Sequence, residues 1–212
     1  MKLLNSQQGH SMEGLFPLAF VAFLVAVVFR IMLRSRAQVP IKSPTLGFLN
    51  LGGDEFLPLI DTDRAALAPI FSAVKTGAGY QIPNCDILFI YANVTPDGSV
   101  GVDINLTVRH LAERAGAAIT VVASGNSSEN LLAAARLAGP KRANLVWTHD
   151  RKGEAFPRFF VKLFTDMKKG RSMPAAWVAI SPQVPSRRQQ DQNLPDMICN
   201  LEAGQVRFQR AG

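Results

Sequence analysis

The chain has 212 residues, 48% of them hydrophobic and 18% charged, with a formal net charge of +7; this is enough for one well-buried domain and an appendage, not for two large domains. The positive balance suits an anionic partner, acidic membrane or nucleic acid, and the position of the charges decides between them. Cys85 and Cys199 are the only cysteines and form no CxxC or Cys/His spacing, which excludes a zinc motif and a disulfide framework.

Residues 1–13 are a short leading segment. Residues 14–33 read GLFPLAFVAFLVAVVFRIML, an apolar run broken only by Arg30 and just long enough at helical rise to cross a bilayer core. A core helix of a soluble protein would show a polar face, and a cleaved signal peptide would be followed by small residues; here Arg34 and Arg36 follow, so the run predicts a retained single transmembrane helix. Basic residues gather after the run (Arg34, Arg36, Lys42), with only Lys2 and Glu13 before it. The positive-inside rule therefore places the C-terminal domain in the cytoplasm, with residues 14–36 in contact with lipid. This accounts for part of the net charge without nucleic acid, and none is expected as a partner.

Residues 34–44 carry basic charge, two prolines and no apolar period, and predict a juxtamembrane linker, with the folded domain spanning 45–212. Within it, 45–51 fits a first strand. Gly52-Gly53-Asp54 fits a turn, lacking the patterns that aim several amides at a phosphate. A helix capped by Thr62 or Asp63 should run to Lys75, with Leu67, Ile70, Phe71 and Val74 on one face.

From residue 86 to 181 the pattern alternates. Residues 87–94, 117–125 and 143–149 are short apolar runs rich in Val, Ile, Thr and aromatics and predict buried strands. Helical patterns lie between them, the first from Leu106 to Ala115, and strand–helix alternation builds a mostly parallel sheet with helices on both faces. Chemistry in such a fold sits past the carboxyl ends of the strands.

The first end carries Asn93 and Thr95, then the Pro96-Asp97-Gly98 turn signal. Asp97 and Asp103 lack a third ligand nearby, so no metal site is indicated. The second end is Ser124-Gly125-Asn126-Ser127-Ser128, where a serine can cap the following helix; a strand, small polar loop and helix start could also receive a phosphate or nucleotide. Ser124 sits in no GxSxG elbow. The third end carries His149 beside Asp150, the best candidate for acid–base work. A nucleophile for it would have to be Ser124 or Cys199. The most amphipathic helix covers 154–169 with a phenylalanine stripe, a second covers 173–180, and 197–208 reads as a terminal hairpin turning at Ala203-Gly204.

The run Ile90-Tyr91-Ala92-Asn93-Val94, then Asp97-Gly98, then Val122-Ala123-Ser124-Gly125-Asn126-Ser127 resembles the order of segments in the CHAT family of caspase-like domains. So do Arg142-Ala143-Asn144-Leu145-Val146-Trp147, the aromatic helix closing in Met167-Lys168-Lys169-Gly170, and Ser172 with Ala175-Ala176. The resemblance implies an α/β fold of three layers, αβα, around a mostly parallel caspase-like sheet. It also implies where catalysis would sit. The family's histidine falls on Val94 or Asn93 and its cysteine on Gly125, so a thiolate–imidazole pair cannot be made from those positions.

The sequence therefore predicts a membrane-anchored, non-peptidase member acting as a binding or scaffold module for a protein partner, without a cofactor. Its ligand surface would be Asn93, Thr95, Ser124, Asn126, Ser127 and His149. The alternatives are a hydrolase using Ser124 or Cys199 with His149, and a phosphate or nucleotide binder at the helix start after Ser124.

Overall fold

The computed structural model describes residues 38–101, 103–136, 143–181 and 194–209. The predicted span at 14–33 lies outside them. Among the described residues no helix is long and apolar enough to cross a membrane.

The chain forms an α/β domain built on a mostly parallel sheet. Strands β1 (Gln38–Ile41), β2 (Thr45–Asn50), β3 (Ala73–Ala78) and β4 (Ile87–Tyr91) come first, with helix α1 (Leu57–Leu67) between β2 and β3. A small hairpin, β5 (Ser99–Val100) and β6 (Asp103–Thr107), leads into α2 (Val108–Ala115). Then come β7 (Ile119–Val122), α3 (Ser128–Arg136), β8 (Asn144–Asp150), α4 (Ala155–Lys168), α5 (Met173–Ile180), β9 (Asp196–Leu201) and β10 (Gln205–Phe208).

The main sheet has the order β3-β2-β4-β7-β8-β9, with β9 alone antiparallel. Central strand β4 is buried along its whole length. Ile87, Phe89 and Tyr91 enter one core layer and Leu88 and Ile90 the other, the period-two alternation of a strand covered on both faces. The first layer takes Ile60 and Leu67 of α1, the phenylalanine stripe of α4, and Met173 and Ala176 of α5. The second takes Leu111, Ala112 and Ala115 of α2 with Leu131 and Ala134 of α3. Phe89 is the hub of the first layer, edge-on to Phe160 at 5.1 Å and to Phe156 at 6.2 Å.

Four segments differ from the sequence reading. The predicted linker contains β1, which pairs in parallel with β10, Gln38 opposite Gln205 through Ile41 opposite Phe208. The predicted helix from Thr62 to Lys75 starts earlier, with Pro58 in its first turn, and ends at Leu67; residues 73–78 form β3 instead. This strand is half exposed and contains Gly77, so its period was too weak to read. The helix expected from Leu106 starts only at Val108, where Thr107 caps it by accepting the His110 N–H. The terminal hairpin is not one: β9 pairs with β8, while β10 crosses to β1 and closes the first core layer with Val206 and Phe208.

Chain direction sets the position of the site. From β2 the chain passes to α1 on the first face, and from β4 it passes to α2 on the second. Adjacent strands whose connections leave to opposite faces open a crevice at their carboxyl ends. The same divergence occurs between β7 and β8, which lead to α3 and α4 on opposite faces.

Candidate functional site

The carboxyl ends of β4, β7 and β8 converge, as the strand order requires, and bring together most of the predicted site residues. Ser124 is 1% exposed. Its Oγ accepts the Ala92 N–H at 3.1 Å, and its hydroxyl donates to the Ala92 carbonyl. A serine whose proton and lone pair both serve one backbone residue has nothing to offer a base; it fastens the end of β7 to the end of β4.

Asn126 extends the same stitching. Its Oδ1 accepts the Val94 N–H at 2.8 Å and its Nδ2 donates to the Ser124 carbonyl at 2.8 Å. Asn130, one turn into α3, donates to the Val94 carbonyl at 2.9 Å. The Val94 N–H and carbonyl are thus both held by asparagine side chains. Val94 is buried, and Gly125 is exposed with space for a Cβ only 3.1 Å from the His149 carbonyl.

His149 is exposed at the end of β8. Its Nδ1 lies 2.7 Å from the Asn126 carbonyl, and since a carbonyl can only accept, Nδ1 carries the proton and Nε2 the lone pair. The Ser128 hydroxyl, at the first residue of α3, lies 3.3 Å from Nε2 and 3.4 Å from Nδ1. Near-equal distances to both ring nitrogens put Oγ off the in-plane axis of either nitrogen. By sequence either Ser127 or Ser128 could cap α3. The capping is done by Ser127, whose Oγ accepts the Asn130 N–H at 3.3 Å.

Cys199 is not part of this group. It lies opposite Val146 across the β8–β9 ladder and packs against the first core layer. His149 is three residues further along β8, roughly 10 Å at strand rise, and contacts α3 on the other face. Burial pushes the Cys199 thiol up to about 12 and the Cys85 thiol likewise to about 12. Neither is a thiolate at neutral pH.

Thr95 and Asp97 build the Pro-Asp-Gly turn. The Gly98 N–H donates to the Thr95 carbonyl at 2.9 Å, and Gly98 takes a φ of 80°. Asp97 accepts from the Thr95 hydroxyl and from the Ser99 N–H and hydroxyl, which holds its carboxyl below the usual aspartate value. Asn93 is exposed beside this turn. Among the described residues no group of His, Cys, Asp and Glu could hold a metal ion.

Beneath the stitched loops lies a network that sequence reading missed. Asp63, fully buried on α1, receives two bonds from the Arg151 guanidinium (Nη2 at 2.8 Å, Nη1 at 3.0 Å) and one from the Tyr91 hydroxyl at 2.7 Å. Arg151 also donates to the Ala123 carbonyl and lies over the Phe156 ring, 4.0 Å from its centroid. One guanidinium therefore joins α1 to the ends of β4, β7 and β8. Burial raises the Asp63 carboxyl above its usual value, against the opposing pull of Arg151. The signal was present in the sequence: Asp63 falls between Ile60 and Leu67 on the inward side of a helix, where a carboxylate requires a partner.

A shallow cleft of about 420 Å³ opens beside His149, lined by Ser128, Leu131, Leu132, Met197 and Ile198. No known protein family, curated protein or solved structure matches this chain.

Proposed function

We propose that the chain is a membrane-anchored, non-catalytic CHAT-like domain that presents its strand-end loops to a protein partner at the cytoplasmic face. The observation that supports this reading most is the use made of Ser124 and Asn126: the polar groups on either side of Gly125, the position the resemblance gives to the cysteine, are spent on the backbone of residues 92–94. A mostly parallel sheet with helices on both faces agrees with the finer, three-layer caspase-like reading. Among the residues outward on this surface are Asn93, Thr95 to Asp97 of the turn, and His149.

A photo-crosslinker placed at Asn93 in native membranes tests the proposal. It should capture a discrete partner that the same group at Ala65, exposed on the outer side of α1, does not. Equal capture from both positions would sink the binding surface.

A second reading has one observation in its favour, the Ser128 hydroxyl 3.3 Å from a correctly protonated His149 beside an apolar cleft. Catalytic bonds are often long before substrate binds. Fluorophosphonate labelling that disappears in both Ser128→Ala and His149→Ala, and survives in Ser124→Ala, would establish a serine hydrolase in place of a binding module.

A further inference from the structure

The end of the domain opposite the candidate site has its own chemistry. A cleft of about 420 Å³ is lined by Lys42, Ser43, Ile70, Phe71, Lys168 and Phe208, among others. It lies where β2 and β3 begin and α4 ends, so it belongs to the amino ends of the main-sheet strands. Lys169 and Arg171 follow Lys168 and are exposed.

Two acidic groups at this end, Asp166 and Asp86, already have partners. Asp166 takes Lys169 at 3.3 Å and Arg171 at 2.8 Å, and Asp86 accepts the Thr45 N–H and hydroxyl at 2.9 and 2.8 Å. Glu113 at the end of α2 is followed by Arg114. No ion pair joins Lys42 or Lys168 to an acidic side chain among the described residues. At the carboxyl ends the sign reverses: Asp54, Glu55, Asp97, Glu129, Asp150 and Glu154 are all exposed there.

Chain length selects the surface that this polarity faces. Four residues, 34–37, separate the predicted span from Gln38, and four residues reach no more than about 14 Å. Gln38 itself enters at the amino end. It pairs with Gln205, next to Gly204, whose carbonyl accepts from Asn144, the first residue of β8.

We infer that this face, centred on Lys42 and Lys168, docks on the anionic headgroups of the bilayer, holding the strand-end loops away from the membrane. The inference rests on the anchored reading given under the proposed function. An anionic surface attracts the basic end and repels the acidic one, so the field orients the domain as well as holding it. Half-buried Phe71 and Ile70 edges in the same cleft suit the headgroup boundary, where amphipathic surfaces settle.

The full chain, reconstituted in vesicles of phosphatidylcholine with or without phosphatidylglycerol, tests this. A fluorophore on Ser43→Cys is read against a quencher on lipid headgroups, with Ser128→Cys as the label at the far end; of the native thiols Cys85 is buried and Cys199 half-buried, and both are protonated. Label at position 43 should be quenched in the anionic vesicles and released by salt, and label at position 128 should not. Lys42→Gln with Lys168→Gln should lower the docked-to-free ratio by roughly thirtyfold, about fivefold per lysine. Equal quenching at both positions, or no dependence on phosphatidylglycerol, overturns the docking. Failure of the chain to float with any vesicle overturns the anchor itself and the docking with it.

Discussion

At the scale of single residues, the two cysteines show how environment outweighs residue type. Cys85 touches the space over Gly47, where an added Cβ would lie 2.4 Å from its sulfur, and Cys199 lies against the core of the first face. Removing a proton from either would put a charge in an apolar setting, which is why both titrate only near pH 12. Native protein at pH 8 should therefore react with a thiol reagent far more slowly than the same protein in urea. Fast labelling of one thiol in the folded state would show that its burial is wrong. Asp97 is the opposite case. Its carboxylate is held by the Thr95 and Ser99 donors, which lowers its pKa, so the turn gains from the charged form above the unfolded value of 3.8 and loses that gain as pH falls through the lower folded value. A carboxyl NMR titration should place the Asp97 midpoint below that of a free aspartate, and Asp97→Ala should remove the corresponding slope of stability below pH 3.8.

Between elements, the Asp63–Arg151–Tyr91 network decides how the strand ends are held. Asp63 is wholly inaccessible and the Arg151 side chain is 9% exposed, so neither charge can fall back on water when its partner is lost. Asp63→Asn preserves the shape but strands the guanidinium, and should cost about 3–5 kcal/mol in urea unfolding. The double replacement Asp63→Leu with Arg151→Met should recover most of that loss, because an apolar pair of similar volume avoids desolvating two charges. Additive losses in the double variant would refute the buried pair. How far such elements could be read from sequence follows from the strength of their periodicity. β4, β7, β8 and α4 stand out because burial on both faces, or an unbroken phenylalanine stripe, leaves a dense apolar signature. β3 and β1 are short, half-exposed edge or outlying strands, and nothing local distinguishes them from loop. In the candidate site, the positions of Ser124, Asn126 and His149 at strand ends were legible. Their mutual bonds were not, since Ser124 and Ala92 are 32 residues apart and meet only through strand order. Likewise, the separation of Cys199 from His149 depends on the β8–β9 register, which side-chain pattern alone does not fix.

For the domain as a whole, the outlying pair β1–β10 ties the beginning of the described fold to its end. β10 brings Val206 and Phe208 into the layer beneath α4 and α5, where Phe208 lies 6.1 Å from Phe164 and 6.2 Å from Phe71. Arg207 bridges to Ser172 at the start of α5, and the Gln209 N–H donates to the Ile41 carbonyl at 2.8 Å. The pair makes the two ends of the described fold depend on each other. Ending the chain after Ala203 should then act far beyond the strand removed. Two buried apolar side chains, Val206 and Phe208, are worth about 1.5–3 kcal/mol each, and β1 loses its sheet partner at the same time. The sum, roughly 3–6 kcal/mol, rivals the whole stability of an ordinary domain. Calorimetry of the truncated chain should therefore show a transition lowered by roughly 6–24 °C, at about 2–4 °C per kcal/mol for a domain of this size, or no cooperative transition at all. An unchanged transition would mean that β10 is an ornament on the first layer and that β1 belongs to the linker after all.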